Sequence, residues 1–154
     1  MSEPKLRVTE IFRSIQGEST FAGLPCAFIR LTGCSLRCVW CDSEYAFHGG
    51  ADMELGEAIG KVLELGTRLV EVTGGEPLEQ EAVYPLMERL ADAGRTVLLE
   101  TGGHVPIDRV DPRLGTADPA RTPAPQDSVG RRAGPMSAVA AKTPRDKAAW
   151  EAVA

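Results

Sequence analysis

The sequence predicts an α/β fold in which parallel strands form a sheet or a partial barrel. Apolar segments with helical spacing alternate with short β-branched runs along residues 53–100, in the order helix, strand, helix, strand. This alternation is typical of parallel strands joined by right-handed crossovers. Glycine-bearing segments follow three of the predicted strands, and we therefore expect a ligand site where these strand ends meet.

Two strands are predicted near the N-terminus. Residues 8–14 alternate loosely between apolar and polar side chains, and residues 26–31 form a short apolar run bounded by proline and glycine. Between them, residues 16–20 read Gln-Gly-Glu-Ser-Thr and favour a turn. A cysteine-bearing loop over residues 33–50 follows, and its length indicates a functional role.

The first helix is predicted over residues 53–65. Its apolar residues lie at helical spacing, Asp52 is a suitable N-cap, and Gly66 is a suitable C-terminal stop. The β-branched run at residues 69–73 predicts the next strand.

A second helix and a further strand complete the pattern. Apolar residues at helical spacing between Val83 and Gly94 predict the helix, and residues 96–100 predict the strand. We expect three segments to converge at the carboxyl ends of the strands. These are the cysteine loop, residues 74–77 and residues 101–103.

Composition and charge narrow the class of function. A net charge of -5 argues against a protein that coats nucleic acid by neutralising phosphates, so small molecules are the expected partners. The chain has no apolar run long enough for a transmembrane helix, and its N-terminus does not resemble a signal peptide. We therefore expect a cytoplasmic protein without membrane contact.

The composition changes abruptly after Pro112. Residues 1–112 carry the periodic pattern and form the predicted core, whereas residues 113–154 are rich in Ala, Pro and Arg and show little apolar periodicity. A switch in mid-fold indicates a frameshift or a divergent short form. We expect the closing strands of the fold to be missing, which would expose an edge of the sheet.

Three of the four cysteines, Cys34, Cys38 and Cys41, lie on the loop that follows the second strand. Three thiolates at this spacing can hold three irons of a [4Fe–4S] cluster and leave the fourth iron open to a ligand. The alternative is a zinc site completed by Cys26 or His48. Because Cys26 lies within an apolar strand, we expect it to be a buried, inert thiol.

The two histidines, His48 and His104, match no motif. We expect both to be solvent-exposed loop residues, and we assign no general base.

The residues around the cysteines resemble a known family. The cysteine spacing, with Trp40 and Gly-Gly-Glu-Pro at 74–77, is similar to that of the radical S-adenosylmethionine (SAM) superfamily. Four segments narrow the resemblance to the 7-carboxy-7-deazaguanine synthase family. They are Glu-Ile-Phe-Arg-Ser-Ile-Gln-Gly-Glu at 10–18, Gly-Leu-Pro at 23–25, Phe-Ile-Arg-Leu-Thr-Gly-Cys at 28–34 and Leu-Arg-Cys-Val-Trp-Cys-Asp at 36–42.

This resemblance implies a fold and an activity. The fold is a partial, TIM-like radical SAM barrel with parallel strands and a divergent or truncated C-terminal part. The activity is a carbon–nitrogen lyase reaction in queuosine biosynthesis: radical-mediated contraction of 6-carboxy-5,6,7,8-tetrahydropterin to 7-carboxy-7-deazaguanine, with release of ammonia. A 4Fe-4S cluster, SAM and Mg2+ are the implied cofactors, and a homodimer and a flavodoxin- or ferredoxin-like reductant are the implied partners.

The resemblance also implies roles for individual residues. The pterin would contact Ile15, Gln16, Gly17 and Thr73, and its carboxylate would bind Arg30, whose planar guanidinium suits that task. SAM would lie against Trp40, Cys41, Asp42 and Gly75. The metal ligands would be Cys34, Cys38 and Cys41 for the cluster and Ser43 for Mg2+, where the family pattern leads us to expect threonine.

Plainer interpretations stay open for several of these residues. Arg30 could form a surface ion pair, Trp40 could simply shield a cluster, and Thr73 with Gly75 could belong to an ordinary tight turn. Glu76 could accept a hydrogen bond from the ammonium of SAM or could cap the helix that follows.

Two other classes of function also stay open. One is a different radical SAM enzyme, such as an activase of glycyl-radical enzymes, which would share the cysteine loop but lack Arg30 and the segment before it. The other is an inactive remnant or a zinc-binding module.

Overall fold

The computed structural model describes residues 2–114 and the backbone of residues 139–141. In this part of the chain, one sheet of six strands carries two α-helices, with the strands in the order β3-β1-β2-β4-β5-β6. The strands are β1 (Lys5–Ile15), β2 (Pro25–Leu31), β3 (Ala51–Glu54), β4 (Leu69–Gly74), β5 (Thr96–Thr101) and β6 (Val139–Ala141). The helices are α1 (Leu55–Glu64) and α2 (Val83–Asp92), with short 3-10 helices at Glu44–Phe47 and Pro77–Glu79.

The parallel part of the sheet confirms the predicted α/β class. Strands β2, β4, β5 and β6 are mutually parallel, and α1 and α2 occupy the crossovers from β2 to β4 and from β4 to β5. In contrast, β1 pairs antiparallel with both β2 and β3, which the sequence pattern did not predict. The connection between β1 and β2 is too short for a parallel crossover, so the two strands form a hairpin.

The predicted start of α1 was wrong. The helix begins at Leu55 rather than at Met53, and Asp52 is not its N-cap. Residues Ala51–Glu54 instead form β3, which pairs with the first part of β1 and is held there by an ion pair of 2.9 Å between Arg7 and Asp52. Pairing with a strand distant in sequence overrides the local helical periodicity.

The predicted ends of both helices are confirmed. Gly66 and Gly94 have φ angles of 69° and 75°, which favour glycine, and each donates its N–H to a carbonyl in the last turn of the preceding helix.

The core lies between the helices and one face of the sheet. Apolar side chains of α1 and α2 pack there against alternate residues of the strands. The main members from the strands are Leu6, Val8, Ala27, Ile29, Leu31, Val70, Val72, Val97 and Leu99. None of the helices within residues 2–114 is long and apolar enough to cross a membrane.

The opposite face of the sheet carries a smaller apolar cluster. It consists of Cys26, Phe28, Leu69 and Leu98, with Phe12 stacked on Phe28 at a ring separation of 5.1 Å. The prediction that Cys26 is buried is confirmed, because the residue is 0% exposed. Burial, aided by the nearby charge of Glu71, raises the pKa of its thiol to about 12, so Cys26 is an inert thiol.

After β5, two parts of the described chain contact the rest of the fold. Val110 and Leu114 are buried in the main core, and β6 pairs with the end of β5 over three residues. The strand β6 was not predicted. The other predictions made for residues 115–154 lie outside the described residues.

Candidate active site

A cleft of about 210 Å³ opens at the carboxyl ends of the parallel strands, on the face opposite the helices. Ligands of parallel α/β sheets gather at this edge. Five of the residues predicted to bind ligands line it, namely Gln16, Gly17, Arg30, Asp42 and Ser43. The remaining lining residues are Glu18, Phe28, Tyr45, Glu71 and Glu100.

Two predicted pterin contacts do not line the cleft directly. Ile15 lies at the end of β1 with 63% of its surface exposed. Thr73 is buried, and its hydroxyl donates a hydrogen bond of 2.6 Å to Glu100, which does line the cleft. The structure therefore connects Thr73 to the cleft through a carboxylate.

The cysteine loop forms one wall of the same cleft. Asp42 and Ser43 follow Cys41 directly, and the Ser43 hydroxyl is buried and donates to Asp42 Oδ1 over 3.1 Å. The N–H of Cys41 donates to the carbonyl of Cys38 over 3.1 Å, which forms a turn between these two cysteines. The segment predicted to bind a cluster is thus continuous with the segment that lines the cleft.

Close backbone contacts fix the beginning of the cysteine loop. The N–H of Glu76 donates to the carbonyl of Gly33 over 2.8 Å, and the N–H of Gly33 donates to Ala46 over 2.8 Å. A Cβ atom at Gly75 would lie 2.1 Å from the carbonyl oxygen of Gly33 and 2.7 Å from the Cβ of Cys34. Glycine is therefore required at position 75 for the end of β4 to approach the loop.

A second set of contacts holds the residue after Cys34. Both carboxylate oxygens of Glu79 accept the N–H of Ser35 at 3.1 Å, and the Ser35 hydroxyl also bonds to Glu79. His104 Nε2 lies 3.1 Å from the Ser35 hydroxyl and 3.0 Å from Glu79. Partial burial raises the pKa of Glu79, but the hydrogen bonds from Ser35 and His104 outweigh it and leave this pKa lowered.

The two histidines differ in surroundings. His48 is an exposed loop residue, as predicted. His104 also lies in an exposed loop, but its ring is fixed between the cysteine loop and the Pro77–Glu79 helix. No sequence motif indicates this role, because Ser35, Glu79 and His104 are distant from one another along the chain.

Glu76 is a buried carboxylate with internal partners. It accepts hydrogen bonds from the N–H of Leu78 at 2.9 Å, from the Thr101 hydroxyl at 2.8 and 2.9 Å, and from the N–H of Gly102 at 2.7 Å. The first of these bonds caps the short helix after β4, as one of the two predicted interpretations requires. The others join the end of β4 to the end of β5.

Arg30 lies on the cleft wall within a small polar network. Its Nε donates to Glu10 over 2.8 Å, and the Tyr45 hydroxyl donates to the same Glu10 oxygen over 2.8 Å. The guanidinium carbon lies 5.6 Å from the centre of the Tyr45 ring. This network uses one of the five N–H donors of the guanidinium and fixes its plane beside the cleft.

Gln16 is held at both ends of its side-chain amide. Its Nε2 donates to Glu71, and its Oε1 accepts the N–H of Glu18 over 3.0 Å. Its backbone N–H and carbonyl bond to Leu24 and Gly23, which closes the turn between β1 and β2. The amide orientation of Gln16 is therefore defined before any ligand binds.

The sequence reasoning missed Glu71 and Glu100. The carboxyl group of Glu71 lies beside that of Glu100 on the neighbouring strand, and both line the cleft. Burial raises the pKa of Glu71 to about 7, with the charges of Glu100 and Glu18 adding to the effect and Gln16 opposing it. The available signal was a carboxylate within an otherwise apolar run, Leu-Val-Glu-Val-Thr at 69–73.

The thiols of the cysteine loop have the right chemistry to bind an iron–sulfur cluster. Within residues 2–114, no group of three or more histidine, cysteine, aspartate or glutamate side chains is already arranged to hold a metal ion. Cys34, Cys38 and Cys41 are nevertheless free thiols, each partly exposed on one loop, and thiolates suit an iron–sulfur cluster. Burial of Cys26 in the apolar cluster disfavours a zinc site that it completes.

Comparison with known proteins assigns the class. The model of the radical SAM superfamily matches residues 28–114, more than half of the chain. The chain belongs to the radical SAM superfamily. This match begins within β2 and includes the cysteine loop, both helices and the strands β3, β4 and β5.

The relatives are more specific, and they confirm the resemblance found in the motifs. The 7-carboxy-7-deazaguanine synthase of Chlorobaculum tepidum is 52% identical over 113 residues, which is 73% of this chain and 51% of the relative. That of Koribacter versatilis is 53% identical over 107 residues, which is 68% of this chain and 47% of the relative. The chain thus spans about half the length of the curated relatives it matches.

A solved structure supports the fold. The crystal structure of QueE from Escherichia coli superposes with a TM-score of 0.65 at 26% identity, and the match covers 71% of this chain and 57% of that one. The α/β architecture is therefore that of a radical SAM fold, of which this chain covers a part.

Proposed function

We propose that this chain carries the cluster and substrate half-site of a 7-carboxy-7-deazaguanine synthase. The reaction would convert 6-carboxy-5,6,7,8-tetrahydropterin to 7-carboxy-7-deazaguanine with release of ammonia. The observation that carries the proposal is the shared cleft: Asp42 and Ser43, directly after Cys41, face the same space as Gln16 and Arg30. A cofactor bound at the cysteine loop would therefore lie next to a molecule bound at Arg30.

The residues of the cleft suit an anionic heterocycle. Arg30 would bind the pterin carboxylate, with its plane set by Glu10 and Tyr45. Gln16 and Gly17 would contact the ring, and Thr73 would act on it through Glu100. Ile15 stays in the proposal as a contact made by its exposed side chain once a ligand is bound.

The cysteine loop would supply the cofactor site. Cys34, Cys38 and Cys41 would hold a 4Fe-4S cluster, and Trp40, Asp42 and Gly75 would lie against SAM. When bound, the cluster supplies the electron for the reductive cleavage of SAM. Ser43 and Asp42 offer adjacent oxygen atoms, the ligands that Mg2+ prefers. A flavodoxin- or ferredoxin-like reductant, a homodimer and a cytoplasmic location complete the proposal.

Anaerobic reconstitution tests the cluster. The chain would be incubated with iron and sulfide, desalted, and examined for iron content and visible charge-transfer absorption. The Cys34→Ala variant should lose the cluster, whereas Cys26→Ala should retain it, since Cys26 lies in the apolar cluster beneath the cleft. A colourless protein that takes up zinc and depends on Cys26 would reject the proposal.

A product assay tests the substrate. The reconstituted chain would be mixed with SAM, dithionite, Mg2+ and 6-carboxytetrahydropterin, and the deazaguanine acid would be sought by mass spectrometry. Its formation supports the proposal. If 5'-deoxyadenosine appears without it, the substrate assignment fails; if neither compound appears, the activity fails for this chain.

A further inference from the structure

We infer that Glu71 is a positioning residue of the cleft, which orients Gln16 and shares one proton with Glu100, so that the two carboxyl groups together present a single negative charge. The shared proton follows from the geometry of this chain, whereas its effect on pterin binding rests on the proposed function. The sequence motifs include neither Glu71 nor Glu100.

Strand register brings the two carboxyl groups together. Glu71 lies opposite Phe28 of β2 and opposite Leu98 of β5. Side chains alternate between the faces of a strand, so Glu100 points to the same face as Leu98, one step nearer the carboxyl end. The carboxyl groups of the two glutamates on β4 and β5 lie close enough to interact, and both line the cleft.

The surroundings of Glu71 favour its neutral form. Beneath it lie the buried side chains of Cys26, Phe28 and Leu98, which offer little solvation to a second charge. A hydrogen bond between two carboxyl groups also requires a proton, because ionised carboxylates only accept. The pKa of Glu71, raised to about 7, agrees with a proton held there near neutral pH.

Each element packed around Glu71 contributes a polar or titratable group that acts on its protonation. The turn after β1 supplies the Gln16 amide and the Glu18 carboxylate, β2 supplies the Cys26 thiol, and β5 supplies Glu100. The cysteine-loop wall of the same cleft carries Asp42 and Tyr45, and β2 carries Arg30. Among the residues that line the cleft, the acidic groups outnumber the one cation, Arg30, so loss of the shared proton adds repulsion between carboxylates.

Two consequences follow for a bound pterin acid. The first is steric, because Glu71 accepts from Nε2 of Gln16 and so holds one end of its amide. The second is electrostatic, because a second carboxylate charge in the cleft would repel an anionic ligand whose carboxylate binds Arg30. Affinity for the pterin should therefore fall as the pH rises through about 7.

Glu71→Gln separates these effects from simple loss of a side chain. The amide oxygen of this variant can still accept from Gln16, and its NH2 group can donate to Glu100, so the variant imitates the protonated acid at every pH. Glu71→Leu removes both contacts. Glu88→Gln, an exposed residue on α2, is the matched control.

The first readout is the affinity for 6-carboxytetrahydropterin, measured by calorimetry. The chain is reconstituted, kept anaerobic and supplied with SAM. Between pH 6 and pH 8, the affinity of the wild type and of Glu88→Gln should fall by about tenfold, whereas that of Glu71→Gln should stay level. Glu71→Leu should bind at least about tenfold more weakly at both pH values. The same fall with pH in Glu71→Gln as in the wild type would overturn the inference.

The second readout is carbon-13 NMR of the glutamate carboxyl groups, recorded on the chain without cofactors. One carboxyl signal should titrate with a midpoint near 7 and be missing in Glu71→Gln, and the side-chain amide signal of Gln16 should shift with the same midpoint. If all glutamates titrate below pH 5, the shared proton is refuted. If the NMR titration appears but no variant binds the pterin, the proposed substrate fails while the glutamate pair stands.

Discussion

The carboxylate of Glu79 binds the backbone N–H of Ser35 with both of its oxygens, at 3.1 Å each. Ser35 directly follows Cys34, so Glu79 fixes the chain at the first of the three loop cysteines. His104 completes the contact by bonding to both residues. In contrast, Val39, between the other two cysteines, is 91% exposed. One end of the cysteine loop is therefore anchored to the Pro77–Glu79 helix before a cluster binds.

Loss of this anchor should weaken the retention of a cluster. In Glu79→Ala, the N–H of Ser35 loses its acceptor and His104 loses a partner, so the Cys34 segment becomes more mobile. We expect iron to be released to a chelator several-fold faster than from the wild type, as measured by the absorbance of the iron–chelator complex.

The control for this prediction is Glu81→Ala. Glu81 lies two residues further on, is exposed, and pairs with Arg109 away from the loop. Equal release rates for both variants would show that the contact between Glu79 and Ser35 does not stabilise the loop around a cluster.

Glu76 should matter more for stability than any exposed carboxylate of the chain. Glu76→Ala leaves the buried N–H of Leu78 and the half-buried N–H of Gly102 without their acceptor and separates the ends of β4 and β5. We expect the free energy of unfolding to fall by about 2 to 4 kcal/mol in urea titrations. Glu88→Ala, on the exposed side of α2, should change it by less than about 0.5 kcal/mol. A loss as small for Glu76→Ala would show that water replaces these bonds without cost.

Two glycines should respond to alanine in opposite directions. In Gly75→Ala the new Cβ would lie 2.1 Å from the carbonyl oxygen of Gly33, so the cysteine loop must move away from β4. We expect a loss of about 2 kcal/mol or more and reduced incorporation of iron.

Gly60→Ala is the matched substitution within α1. No atom lies within 4 Å of the Cβ that it would add, and alanine is the better helix former, so this variant should gain roughly 0.5 to 1 kcal/mol. Thermal melts of both variants test the pair. A Gly75→Ala protein as stable as Gly60→Ala would contradict the close packing of the loop on β4.

The elements that were predicted correctly depend on local signals. Both helices end at the predicted glycines, Gly66 and Gly94. A helix commonly ends at a residue with left-handed backbone angles, and glycine is the residue that favours them, so the signal is local. The strand β3 was missed because it depends on pairing with β1, about 45 residues earlier, while its own residues continue the helical periodicity of α1.

The same distinction holds for the candidate site. Arg30, Asp42 and Ser43 were placed in a site by motif, and they line one cleft. Glu71 and Glu100 form a pair only because β4 and β5 are parallel and in register, and no local pattern records that register. His104 is likewise defined by tertiary contact with Ser35 and Glu79.

The stability of the chain should decrease as the pH rises through neutrality. The pKa of Glu71 is about 7 in the folded chain and near its ordinary 4.5 in the unfolded chain. A raised carboxyl pKa means that the folded state binds the extra proton, so its stabilising effect is complete below 4.5 and is lost as the pH passes 7. The free energy of unfolding should therefore be lower at pH 8 than at pH 5, by an amount on the order of 2 kcal/mol.

Urea unfolding of the wild type and of Glu71→Gln at both pH values isolates this contribution. The variant cannot titrate at position 71, so its free energy of unfolding should change less between pH 5 and pH 8 than that of the wild type. Glu88→Gln should follow the wild type, because Glu88 is exposed. Identical pH profiles for the wild type and Glu71→Gln would mean that Glu71 is already ionised at pH 5, and that Gln16 and Glu100 tolerate its charge.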